Sequence, residues 1–144
     1  MVLALASLVL AGAPDVSGPV YAQLNARDGV ECSALGLATP DLKSQLFALT
    51  DPAILPAAVP IRAAGCLISL FPAEPDVETA VTAWMSDPER QGFGLVALSR
   101  LDAFPEPAAL RIVTAARLSA IARVAASAET VRATSIYPSV RAAP

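Results

Sequence analysis

Apolar positions along this chain recur at the three- and four-residue spacing of helices, and no long alternating Val/Ile/Thr/Tyr run suggests a strand. The clearest stripe is Val77, Ala80, Val81 and Trp84, which predicts a helix over 75–85 with Pro75 at its start and Asp76 and Glu78 in its first turn. Trp84 closes this stripe and is expected in the core, with a ligand platform as the alternative. Leu42, Leu46 and Leu49 predict a helix over 40–49, with Thr39 as N-cap and Pro40 at the first helical position. A helix over 59–71 follows. Its face Ile61, Ala64, Leu67, Ile68, Phe71 is apolar, and Arg62, Gly65, Cys66 and Ser69 occupy the other arc.

Asp87 is expected to cap a helix from Pro88 to about Asp102. Apolar residues spread around this helix, so neighbours should enclose it, and Gly92 and Gly94 permit one of them to come close. From Pro107 the pattern stays helical to about Thr134. A continuous rod would set Arg117 in the middle of an apolar face, so a break near Arg117-Leu118 is expected, with Ser119 opening the next helix.

These segments repeat. Glu74-Pro75 leading to Val81-Thr82-Ala83 recurs 32 residues later as Glu106-Pro107 leading to Val113-Thr114-Ala115. A fainter copy runs from Pro40-Asp41-Leu42 to Thr50-Asp51-Pro52, against Pro75-Asp76-Val77 to Ser86-Asp87-Pro88, with extra residues between Pro52 and Ile61. A period of this size marks stacked supersecondary units.

The amino terminus has a different character. Val2 to Ala13 is an uncharged apolar run, too short for a comfortable membrane span and about right for the apolar part of a secretory signal. Small-x-small cleavage sites end at Ala13, where Pro14 would follow, and at Ala22, which is preferred. An uncleaved anchor and a buried N-terminal helix are the alternatives. Export would make a disulfide between Cys32 and Cys66 available. In a reducing compartment the same residues would be two unpaired small hydrophobes.

Composition narrows the chemistry. Of the 144 residues 31 are Ala, which favours helices whose backbones approach closely. Histidine is absent, removing the commonest general base and the commonest metal ligand. No catalytic, cofactor-binding or metal-ligating set stands out, and Gly92-x-Gly94 lacks the rest of a dinucleotide loop. The net charge of −3 gives no reason to expect nucleic acid. Charge is uneven, however: from Pro107 onward there are five Arg and one Glu. Arg62 is a candidate to pair with Asp51 or Asp87 between adjacent units, with Arg90 a further candidate beside Asp87.

The phrase Ile61-Arg62-Ala63-Ala64-Gly65-Cys66-Leu67-Ile68-Ser69-Leu70 resembles the second helix of HEAT and HEAT-like repeats, and Asp87 to Leu98 is similar to a weaker copy, with Asp87-Pro88 as its turn and Arg90 as its arginine. The resemblance covers about residues 39–130. It implies an all-α fold, a short right-handed α-α superhelix of two to three helical hairpins, with an irregular helical bundle as the competing architecture. The expected organisation is a signal peptide or anchor over 1–22, an irregular linker over 23–38, the repeat domain over 39–133 and a flexible tail over 134–144. The resemblance also implies a non-enzymatic scaffold for an unidentified protein partner, meeting a membrane only through an uncleaved N-terminal segment. A small helical carrier of an apolar ligand and an accessory fragment of a larger exported enzyme are the other readings.

Overall fold

A computed structural model describes residues 18–29, 31–35 and 40–144 of the chain. The apolar run Val2–Ala13 and the expected N-cap Thr39 lie outside the described residues. Within them the chain is all-helical, with no strand. Nine helices follow one another: α1 (Pro19–Leu24), α2 (Cys32–Leu35), α3 (Leu42–Leu49), α4 (Ala58–Leu70), α5 (Pro75–Trp84), α6 (Gln91–Ser99), α7 (Glu106–Arg117), α8 (Ala122–Thr134) and α9 (Pro138–Arg141). Single 3-10 turns at Pro88–Arg90 and Leu101–Ala103 flank α6.

Proline sets several of the starts. Pro75 opens α5, Pro107 lies in the first turn of α7 and Pro138 opens α9, each where a missing backbone N–H costs nothing. The turns inside the hairpins share one device. Asp51 accepts from the Ala53 amide at 2.9 Å, Asp87 from Glu89 at 3.0 Å and Ser119 from Ile121 at 3.1 Å. A short polar side chain thus satisfies the amide two residues ahead at equivalent places in three successive units. The expected break after Arg117 is present, and Ser119 closes it.

The pairs α3–α4, α5–α6 and α7–α8 each pack together. Their second helices form a row in which α6 contacts both α4 and α8, and their first helices form another, α5 against α7 and α7 against α9. Trp84 and Phe93 lock the α5–α6 pair edge to face, with ring centroids 5.5 Å apart. Phe104, Leu67, Ile68, Met85, Leu98 and Ile112 are among the fully buried side chains.

Three expectations are corrected. The polar arc of helix α4 is narrower than expected: Ser69 is exposed and Arg62 half-buried, but Gly65 and Cys66 are buried with the rest of Ala63 through Ile68, because α1, α2, α3 and α6 surround the helix. Its small residues look neutral in a sequence but serve as contact surface. The segment 23–38, expected to be linker, includes the end of α1 and α2, and Val20, Leu24 and Leu35 are buried. Residues 134–144, expected to be a free tail, pack onto α7 and α8, with Val140 fully enclosed.

Candidate interaction surface

Most of the long-range polar links share one length; the Arg62 links to the Leu24 and Ala26 carbonyls, across 38 and 36 residues, and the Arg117 links to the Ala143 and Pro144 carbonyls, across 26 and 27, do not. Lys43 pairs with Glu74 and Asp76, and Glu78 takes Arg111. Ser119 donates to the Met85 carbonyl, Ser135 to Asp102, Tyr137 to the Phe104 carbonyl and Ser139 to Glu106. Arg100 donates to the Gly65 carbonyl and to Ser69, and Tyr21 to the Leu55 carbonyl. Cys32 is bonded to Cys66 across 34 residues, with Cα atoms 5.2 Å apart. These links span 31 to 35 residues, one unit of the sequence period, so each unit touches the equivalent part of the next.

Not all the candidate pairings formed. Cys32 and Cys66 are joined. Asp87 pairs with Arg90 at 2.7 Å, within its own turn and not between units. Arg62 reaches neither Asp51 nor Asp87. Its Nη1 donates instead to the Leu24 and Ala26 carbonyls, at 2.7 and 2.9 Å, and so satisfies the carboxyl end of α1. A carbonyl target carries no mark in the sequence, which is why charge matching chose the wrong partners.

Backbone approach shapes the row of second helices. A Cβ placed on Gly92 would lie 2.9 Å from Ile61 Cδ1, and one on Gly65 would lie 3.1 Å from the Arg100 guanidinium. Gly92, Leu95, Val96 and Ser99 share one stripe of α6 by helical spacing. Leu95, Val96 and the adjoining Ile61 are half-buried. The stripe continues to a depression of about 140 Å³ between α6 and α8, lined in part by Ser99, Arg100, Val131 and Thr134. The α4–α6–α8 face is therefore shallow, apolar at its middle and rimmed by polar groups. A second groove, about 380 Å³, lies between the starts of α5 and α7, with Pro72, Pro75, Pro105 and Pro107 in its wall and the Glu78–Arg111 pair beside them.

Ion pairs link the first helices to one another and brace the second turn and the α7–α8 pair. Arg111 grips Glu78 with two 2.7 Å bonds and holds its carboxyl below the usual value of 4.5. Lys43 does the same to Asp76, Arg90 to Asp87, and Arg117 with Arg132 to Glu129. Arg117 also donates to the carbonyls of Ala143 and Pro144. A depressed carboxylate contributes stability above its unfolded-state pKa and loses it as pH falls through the folded value. The melting temperature is thus expected to hold from neutrality to about pH 5 and to fall below the ordinary glutamate value of 4.5. Glu78→Gln should make that acid limb shallower, with Asp76, Asp87 and Glu129 supplying the remainder; a limb unchanged in Glu78→Gln would show that the pair is not made.

Among the described residues no group of three or more His, Cys, Asp or Glu is placed to hold a metal ion, and no helix is long and apolar enough to cross a membrane. Comparison with protein-family models, curated proteins and solved structures gives no match.

Proposed function

We propose that this chain is an exported, non-enzymatic module of HEAT-like helical hairpins, stacked as a short right-handed superhelix, that holds a protein partner on its α4–α6–α8 face. The observation that supports it best is the 31–35-residue span of most inter-unit links, which is what nearest-neighbour stacking of repeats requires. Such stacking buries each unit against its neighbours and leaves one continuous face for recognition. Half-buried Ile61, Leu95 and Val96, set among small residues with Arg100 at the rim, have the apolar centre and polar border of a protein contact.

Export is supported by the apolar run ahead of the domain and by the Cys32–Cys66 bond, which persists in an oxidising compartment. The helix α1 bears on processing. A cut after Ala22 would divide α1 between its two buried residues Val20 and Leu24, whereas a cut after Ala13 leaves it whole. The site after Ala13 is therefore the one consistent with the folded domain.

The function test is a photo-reactive residue placed at Val96 in cells that export the protein. It is expected to yield one discrete covalent adduct with a second protein, while the same residue at Arg111, on α7 of the other row, yields none. Equal labelling from both positions, or none from Val96, would contradict recognition through the α4–α6–α8 face.

A further inference from the structure

The turns inside the three hairpins lie along one edge of the molecule. Ser119 in the third turn bonds to Met85 in the second, and Gly92 at the start of α6 meets Ile61 near the start of α4. This edge bears two of the three large apolar side chains that stand exposed among the described residues, Leu55 (75%) in the first turn and Leu118 (82%) in the third. The first turn is also the longest. Its segment Pro52-Ala53-Ile54-Leu55-Pro56-Ala57 carries no charge, and every residue but Ile54 is exposed. Those extra residues give the first unit a longer apolar tip than the other two units have. Monomers seldom leave such tips uncovered without a partner for them.

From this edge we infer that a second copy of the chain covers it, in an antiparallel two-fold dimer. The first turn of each copy sits on the third turn of the other, and the second turns meet at the axis. Charge selects this orientation. The first turn begins with Asp51. Beside the third turn, exposed Arg123 in the first turn of α8 has no carboxylate partner among the described residues. At the centre exposed Glu89 adjoins Arg90, which already holds Asp87 at 2.7 Å, so an antiparallel partner brings Glu89 beside the arginine of that pair in both directions. A parallel two-fold would instead oppose Asp51 to Asp51, Glu89 to Glu89 and Arg123 to Arg123. The antiparallel pairing covers Leu55 with Leu118 twice per dimer and leaves both α4–α6–α8 faces free, whichever partner they take. Stacked helices lie roughly 8–10 Å apart, so the two apolar contacts flank the central charges by about the width of one helix each.

Sedimentation equilibrium and engineered thiols test the dimer directly, since the native cysteines are already joined. The wild-type protein is expected to dimerise at concentrations on the order of 0.1 mM, and Leu55→Asp and Leu118→Asp each to raise the dissociation constant at least ~10-fold, because each leucine is buried twice per dimer. Both side chains are exposed in the monomer, so circular dichroism and melting temperature of the variants should match wild type. Ser86→Cys is expected to cross-link to itself, and Ala53→Cys to cross-link with Ala120→Cys in a mixture but not alone. A protein that stays monomeric, a dimer insensitive to both aspartates, or self-linking of Ala53→Cys would each overturn the inference.

Discussion

Replacing Trp84 with alanine is expected to remove about 3–5 kcal/mol of stability, a large share of the 5–15 kcal/mol available to a typical domain. The side chain is only 5% exposed and meets Phe93 at an interplanar angle of 67°. It joins the two helices of the middle hairpin, which among the described residues is the one stacked on both sides by another complete pair. The cavity left by an indole cannot collapse without moving α6 against α4 or α8. In thermal melts the loss should read as a fall of roughly 10–20 °C for a chain of this size, with Trp84→Phe losing far less. A fall of less than about 3 °C would mean that Trp84 is not enclosed by the α5–α6 pair.

Reduction of the Cys32–Cys66 bond, or Cys32→Ser with Cys66→Ser, carries the second large effect. The bond closes a loop across 34 residues, and restricting such a loop in the unfolded chain stabilises the folded one by about 3–4 kcal/mol. Its local consequence follows from what else holds residues 18–29 and 31–35: the Arg62 bonds to the Leu24 and Ala26 carbonyls, the Tyr21 bond to Leu55, and buried Val20, Leu24 and Leu35. Those contacts lose their covalent brace together. Hydrogen exchange is expected to accelerate first in α1 and at the exposed ends of α4, with α7 and α8 protected as before. Uniform acceleration along the chain would show instead that the bond supports the whole array.

Parts of this architecture are legible in the sequence, for identifiable reasons. Helix α5 is amphipathic with a proline start and large apolar residues on one side only, so its stripe is plain. The break at Arg117 is readable because a charge in an apolar face forces a choice between water and a turn. Helix α4 is different. Ala63, Ala64 and Gly65 give no contrast between faces, and their burial is decided by four neighbouring elements that the local pattern does not contain. The short α1 and α2 have too few residues to show a period, and their order comes from α4, Arg62 and the disulfide.

The last segment was readable in principle. Pro75, Pro107 and Pro138 recur at 32 and 31 residues, and α9 occupies beside α7 the place that α7 holds beside α5. Its four residues are too few for a stripe, so the period was the only signal. The proposed interaction face was less visible. Leu95 and Val96 lie on a helix that is apolar nearly all round, and only the packing of Phe93, Gly94, Ala97 and Leu98 against neighbours shows which side remains open.

The central claim is that successive hairpins touch through residues one period apart. A nuclear Overhauser spectrum of protein labelled at isoleucine δ1 methyls and glycine α positions tests it most directly. A strong cross-peak between the Ile61 δ1 methyl and the Gly92 α protons is predicted, because these residues, 31 apart in sequence, leave no room for a Cβ between them. An Ile61 methyl that reports only neighbours within residues 40–71 would contradict the stacking, and with it the shared recognition face.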